Sequence, residues 1–197
     1  LANIQEKQID IHSLSLLLNK NKMYFVIGKN FHMELSNLDT KTKIKKFAET
    51  VRKYCDWAET SSSNPEQDMI TARKLLAELH LGIIDLLEID LPDINCGKEV
   101  DNIRSSYKIS SIYRRFQILP IDNYWDVFEP LNIEDNQPVL NSFIDDLNDI
   151  YQDLKRGLIL YEQSYFMETV WEWKFHFEIH WGAHLVGTQR AIHNYFL

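Results

Sequence analysis

From Thr40 onward the apolar residues recur at helical spacing. Ile44, Phe47, Ala48, Val51, Tyr54, Cys55 and Ala58 follow one another at i, i+3 and i+4, which predicts a helix with one buried face. Ser61–Ser63 interrupt the pattern, and Asn64-Pro65 restart it as an N-cap followed by a first helical residue. The second helix should run to about Leu87, burying Ile70, Leu75, Leu76, Leu79, Ile83 and Leu87. Leu91-Pro92-Asp93 and Asn95–Gly97 mark a loop. A third helix is expected over Ser105–Gln117, with Ile112, Tyr113 and Phe116 inward and Pro120 beyond its end. The segment Ile121–Pro138 reads as a loop anchored by Tyr124, Trp125 and Phe128, with an acidic patch at Glu134-Asp135. Asn141 or Ser142 caps a fourth helix whose apolar face is Phe143, Leu147, Ile150, Leu154 and Leu158. A turn at Glu162–Ser164 leads into a last helix, so the final two elements form an antiparallel hairpin. Before residue 40 the period changes. Met23–Leu35 is a β-like run broken at Gly28-Lys29, which fits a short hairpin or an irregular arm. The expected fold is all-α: an N-terminal arm over residues 1–39, then a single helical domain over 40–197 built as a bundle of about five helices.

The chemistry concentrates in Trp171–His193, where Trp, Phe, Glu and His are packed more densely than anywhere else. On a helix, Glu168, Glu172, His176, His180 and His184 follow at i, i+4 and form a slowly drifting stripe. Phe175, Ile179 and Val186 flank it on one side, and Trp173, Phe177 and Trp181 on the other. A polar row between apolar walls is costly unless every group is hydrogen-bonded or metal-bound. Three readings compete. The row is a satisfied structural network, or a divalent-metal site completed by a second helix, or a pocket for a polar ligand with aromatic walls. His80 reads as a core-edge residue, and His12 and His32 as surface or packing residues.

The fourth helix holds the natural partners. Asp145-Asp146-x-x-Asp149 is a literal DDxxD, but the chain is short for a prenyl-transfer bundle and has no second aspartate-rich helix. Helical projection turns Asp146 and Asp153 inward toward the histidine stripe and leaves Asp145 and Asp149 in solvent. Lys155 and Arg156 read as solvated charges, whereas Arg190 returns to the angle of Glu172 and can neutralise a buried acid. Gly182 suggests close approach of another helix, and Gly187 a kink. Trp171 projects toward solvent as a contact for a partner or a covering loop.

Composition narrows the function class. Net charge is −8, and the only basic cluster, Lys41, Lys43, Lys45 and Lys46, is short; a nucleic-acid partner would demand clustered cations. Cys55 and Cys96 lie far apart without metal spacing and read as reduced thiols. No apolar run spans a bilayer and no signal-peptide pattern is present, so a cytoplasmic protein without a membrane partner is expected. No nucleophile elbow, phosphate loop or HExxH motif assigns catalytic residues.

Three segments carry a family resemblance. They are Tyr124-Trp125-x-Val127-Phe128-x-Pro130, then Asp145-Asp146-Leu147-x-Asp149-Ile150-Tyr151-x-Asp153-Leu154-Lys155-x-Gly157, and finally Trp171-Glu172-Trp173-Lys174-Phe175-x-Phe177-x-x-His180-Trp181-Gly182-x-His184. On these residues the chain resembles the bacterial family known only as domain of unknown function number five thousand and sixty-three. The resemblance is strong from about Tyr124 to His193, weaker around Tyr54-Cys55, and absent over the first forty residues. It implies an all-α fold and a bacterial origin, and it brings no activity. In the family the position of His176 is usually a small polar residue, which leaves Asp146, Asp153, Glu172, His180 and His184 as the matched polar set.

Two functions are therefore carried forward. The first is a non-catalytic module that binds a protein partner or small polar ligand through Trp173, Phe177, Trp181, Tyr124 and Trp125. The second is a metal-dependent hydrolase in which zinc, manganese or iron is held by Asp146, Asp153, Glu172, His180 and His184.

Overall fold

The computed structural model describes residues 17–19, 22–27, 30–33, 38–91, 106–127, 129–134 and 137–197, with side chains described from residue 38 and not over 106–109. The chain divides into two compact units, Leu1–Thr42 and Lys43–Leu197. In the first, β1 (Leu17–Asn19), β2 (Lys22–Ile27) and β3 (Asn30–Met33) form an antiparallel sheet in that order, with Phe25 opposite His32. His12, the side chain of His32 and Cys96 lie outside the described residues.

The second unit is an all-α helical bundle. Helix α1 (Leu38–Glu59) buries Ile44, Phe47, Ala48, Val51, Tyr54, Cys55 and Ala58, the full set predicted from the apolar spacing. Burial pushes the Cys55 thiol up to about 12, so this cysteine is inert packing. Helix α2 (Pro65–Leu87) begins at the expected cap, where the Asn64 side chain accepts from the Gln67 N–H. Its end is closed by Lys174, which donates to the carbonyls of Leu87 and Ile89 at 3.2 and 2.7 Å. Helix α3 (Ser106–Phe116) is fastened by Arg115, which pairs with buried Asp68 at 2.7 Å and donates to the Thr60 carbonyl.

The expected loop over 121–138 is partly wrong. β4 (Asn123–Asp126) and β5 (Val139–Ser142) pair antiparallel as a hairpin, Trp125 facing Leu140. The strands are short and mostly polar, so they carry little alternation for a sequence reading to detect. Ser142 then caps α4 (Phe143–Glu162) by accepting from the Asp145 N–H, and Phe143, Leu147, Ile150, Leu154 and Leu158 form its buried face.

The α4–α5 turn is a Schellman motif. Ser164 adopts φ 66°, the Tyr165 N–H bonds the Leu160 carbonyl, and the Ser164 N–H bonds that of Tyr161. The chain reverses there. α5 (Phe166–His176) and α6 (Gly182–Tyr195) pack antiparallel along α4, and α2 packs on both. Gly157 permits the closest approach. The Trp173 indole lies where a Cβ would stand, 2.1 Å from the ring nitrogen, and its N–H donates to the Leu154 carbonyl. Phe47 meets the same indole edge-on at 5.0 Å.

The continuous last helix expected from the sequence is interrupted by a π-helical turn, Phe177–Trp181. This turn explains Gly182 in a way the sequence did not suggest. The π geometry brings the Phe177 carbonyl to Gly182, whose N–H bonds it, and a Cβ there would lie 2.3 Å from that oxygen. Close approach of another helix is not the reason. Gly187 does not mark a kink either: Tyr124 Oη and Asp126 of the hairpin occupy the space of its absent Cβ. Among the described residues no helix is long and apolar enough to cross a membrane.

Candidate metal centre

The histidine row faces α4, where Asp146 and Asp153 turn inward and are 4% and 3% exposed. The antiparallel packing sets one aspartate against one histidine twice. His184 Nδ1 lies 2.8 Å from Asp146 Oδ1, and His180 Nδ1 lies 2.7 Å from Asp153 Oδ2. A carboxylate can only accept, so each Nδ1 donates and the neutral ring keeps its lone pair on Nε2. The Tyr124 hydroxyl donates to the other oxygen of Asp146 at 2.5 Å, tying the hairpin to the same dyad.

The π turn keeps this register. In an α-helix an i, i+4 row drifts by about 40° per step. A wider turn at Phe177–Trp181 opposes that drift, so both His180 and His184 address α4. Their rings stand 4.8 Å apart and nearly perpendicular, at 85°.

Between the free edges of these rings sits Asp149. Its Oδ2 is 3.8 Å from His184 Nε2, too far for a hydrogen bond. One ligand atom each from Asp149, His180 and His184 lies within 4.8 Å of the others. Two ligands of one tetrahedral zinc stand about 3.4 Å apart, so the set closes on an ion by moving about 1 Å. Asp149 is one-third exposed and the His180 side chain 45% exposed, so one face of the cluster is open to water.

Carboxylate charge dominates the cluster. Burial, with the charges of Asp153 and Asp145, raises the Asp149 carboxyl above its ordinary value despite the two histidines. Burial pulls His184 down, but the Asp146 hydrogen bond and the charges of Asp146, Asp149 and Asp153 outweigh it and leave its pKa raised. Neighbouring Glu172 is raised by burial, opposed by Arg156. His176, 3.1 Å from Glu172, is lowered by burial and by the charges of Arg156 and His180.

The sequence-predicted residues thus divide. Asp146 and Asp153 stand behind the histidines as hydrogen-bond acceptors, His180 and His184 present Nε2 outward, and Glu172 pairs with Arg156 and His176 away from the three converging atoms. Asp149, expected in solvent, is the third converging group. Its signal was present: Asp146, Asp149 and Asp153 lie at i, i+3 and i+7, a row that shares one helix face. Arg156 and Lys155 are not free solvated charges, because Arg156 pairs with Asp153 and Glu172, and Lys155 with Glu59. Arg190 reaches Asp126 and the Trp125 carbonyl rather than a buried acid.

The aromatic wall does not assemble as a ligand surface. Trp173 and Trp181 are fully buried, and the Trp181 N–H donates to the Trp173 carbonyl. Phe177 is half-buried and packs edge-on against Trp181 at 4.8 Å. Tyr124 is committed to Asp146, while Trp125 is 63% exposed on the hairpin. Trp171 stacks on Phe175 at 4.7 Å, and His80 bonds Gln189 at 3.0 Å. Next to His184, a small groove of about 210 Å³ opens between the hairpin and α6, lined also by Asn141, Asp126 and Arg190.

Comparison with known proteins agrees with the helical architecture. The chain is similar in fold to a crystal structure of protein BF1032 from Bacteroides fragilis, at 17% identity and a TM-score of 0.63, covering 80% of this chain and 94% of that one. No curated protein matches the sequence. Residues 39–196, containing every residue of the Asp/His cluster, match the family profile described as domain of unknown function DUF5063. The chain belongs to the DUF5063 family.

Proposed function

We propose that this protein binds one divalent transition-metal ion through Asp149, His180 and His184 and acts as a metal-dependent hydrolase on a small polar substrate. The observation that carries the reading is the pair of buried aspartates, Asp146 and Asp153, each bonded to the Nδ1 of one histidine. Carboxylate–histidine pairs of this kind fix the ring and raise the basicity of the outward nitrogen, as metal-ligating histidines require. Two imidazoles and one carboxylate suit zinc, manganese or iron, and three protein ligands leave a position for water or substrate. When bound, such an ion lowers the pKa of its water toward about 7 and polarises a substrate oxygen. The residues of this chain hold that position on the exposed face of the cluster.

The test is metal content by plasma mass spectrometry after growth in zinc-, manganese- and iron-supplemented medium, for the native chain, Asp149→Asn and His184→Ala. Near one ion per chain in the native protein, lost in both folded variants, supports the reading and justifies a screen of ester, amide and phosphoester substrates. Metal-free native protein refutes it.

A second reading, a protein-binding module, draws on the hairpin. Trp125 and Leu140 face each other across the strands and are 63% and 54% exposed, an apolar pair extended by exposed Val139. Under that reading Trp125→Ala abolishes partner binding while metal content is unchanged.

A further inference from the structure

A second set of ligand-type side chains lies one turn away from the three converging groups. Asp153 and Glu172, from α4 and α5, flank the Arg156 guanidinium, and His176 lies on the far carboxylate, Glu172. Nη2 of Arg156 pairs with Asp153 Oδ1, and Nε stands 2.8 Å from Glu172 Oε1, which also lies 3.1 Å from His176 Nε2. Both carboxylates are withdrawn from water: the side chains of Asp153 and Glu172 are 3% and 12% exposed. Two carboxylates and an imidazole facing inward between antiparallel helices are what bundles use to hold the second ion of a di-metal centre.

We infer that Arg156 is a built-in cation occupying the place of a second metal, and that it makes the centre mononuclear. This rests on the metal reading proposed above.

The physical reasoning is one of charge and shape. Two buried carboxylates cannot face each other unpaired, because the desolvation cost is offset only by a nearby positive charge. A guanidinium supplies that charge at every accessible pH; here Nη2 donates to Asp153, while Nε faces Glu172 as an ion pair without a directed hydrogen bond. With it in place, the metal-spaced group among the described residues is that of Asp149, His180 and His184, and the Asp153–Glu172–His176 set is not one. Asp153 then has two duties: Oδ1 pairs with the arginine and Oδ2 orients His180. Arg156 therefore connects the choice of nuclearity to the orientation of the histidine that serves the first ion. A single ion with one open position suits activation of one water, whereas a di-metal clamp holds both attacking and leaving oxygens. The inferred substrate class is accordingly one hydrolysed at a single metal.

The experiment counts cobalt. Native protein, Arg156→Gln and Arg156→Lys are purified and titrated with cobalt(II) throughout, so that a variant needing a second ion to fold is still captured. Stoichiometry is read by plasma mass spectrometry, and spin coupling between neighbouring cobalt ions by electron paramagnetic resonance. The expected result is one cobalt per chain in the native protein and in Arg156→Lys, and two in Arg156→Gln with a spin-coupled signal. Arg156→Gln that binds one ion, or that fails to fold even with cobalt, overturns the inference and leaves the mononuclear reading intact. Two ions in the native protein also overturn it. No cobalt in the native protein removes the metal reading itself, and the inference with it.

Discussion

At the scale of single residues, the clearest commitments are packing ones. Gly157 exists to admit Trp173, whose indole N–H reaches through its position to the Leu154 carbonyl. Gly157→Ala forces the fully buried ring aside and strains that hydrogen bond, and the expected cost is about 1–3 kcal/mol. Thermal unfolding followed by far-ultraviolet circular dichroism checks this, and an unchanged midpoint would show that Trp173 repacks freely. Asp146 and Asp153 were legible as inward-facing because they border the apolar stripe of α4 at a seven-residue interval. Asp149 shares their face at i+3 from Asp146, but it lies at the edge of that face and stays one-third exposed, so angle alone does not separate it from a solvated acid. Arg156 is equally illegible from angle, because a long side chain reaches acids well away from its own Cα.

At the scale of elements, the π turn is the feature no periodicity revealed. The π turn is confined to five residues, Phe177–Trp181, too few for its changed period to stand out from the α pattern on either side, and Gly182 stands at its end. That glycine has a definite role: a methyl group there would press on the Phe177 carbonyl. Gly182→Ala is expected to favour an ordinary α turn and to rotate His180 away from Asp153. Metal affinity should fall at least about tenfold, as second-shell losses do, with a helical spectrum close to native. Isothermal titration with zinc measures it; native affinity in Gly182→Ala would mean the turn does not set the register of His180. The helices are legible in the sequence, down to the Asn64 cap and to a cap at Asn141 or Ser142 that the structure assigns to Ser142, because capping and apolar spacing are local signals. The β4–β5 hairpin was not, since its stability comes from the contact of Tyr124 with α4 and of Asp126 with α6.

For the whole molecule, buried phenols tie separate elements together. Tyr54 donates to the Leu147 carbonyl across α1 and α4, Tyr151 to Glu59, and Tyr124 to Asp146. Burial raises all three hydroxyls above 10, reinforced for Tyr124 and Tyr151 by hydrogen bonds to carboxylates. A pKa raised in the folded state favours the protonated form there. The stability these phenols contribute is therefore complete below pH 10 and is lost as pH rises beyond it. Absorbance at 295 nm should show a fraction of the nine tyrosines ionising only together with unfolding above pH 10. Simple titration of all of them near pH 10 in folded protein would contradict the burial.

The central claim is the position of a metal among Asp149, His180 and His184, and a crystal grown with zinc locates it. Diffraction collected on both sides of the zinc edge is expected to give one anomalous peak per chain, within bonding distance of the Asp149 carboxylate and of Nε2 of both histidines. Asp146 and Asp153 should stay on the Nδ1 atoms and Arg156 should stay between Asp153 and Glu172. A peak elsewhere, or none at this cluster at saturating zinc, would contradict the account and reduce the Asp/His pairs to structural hydrogen bonds.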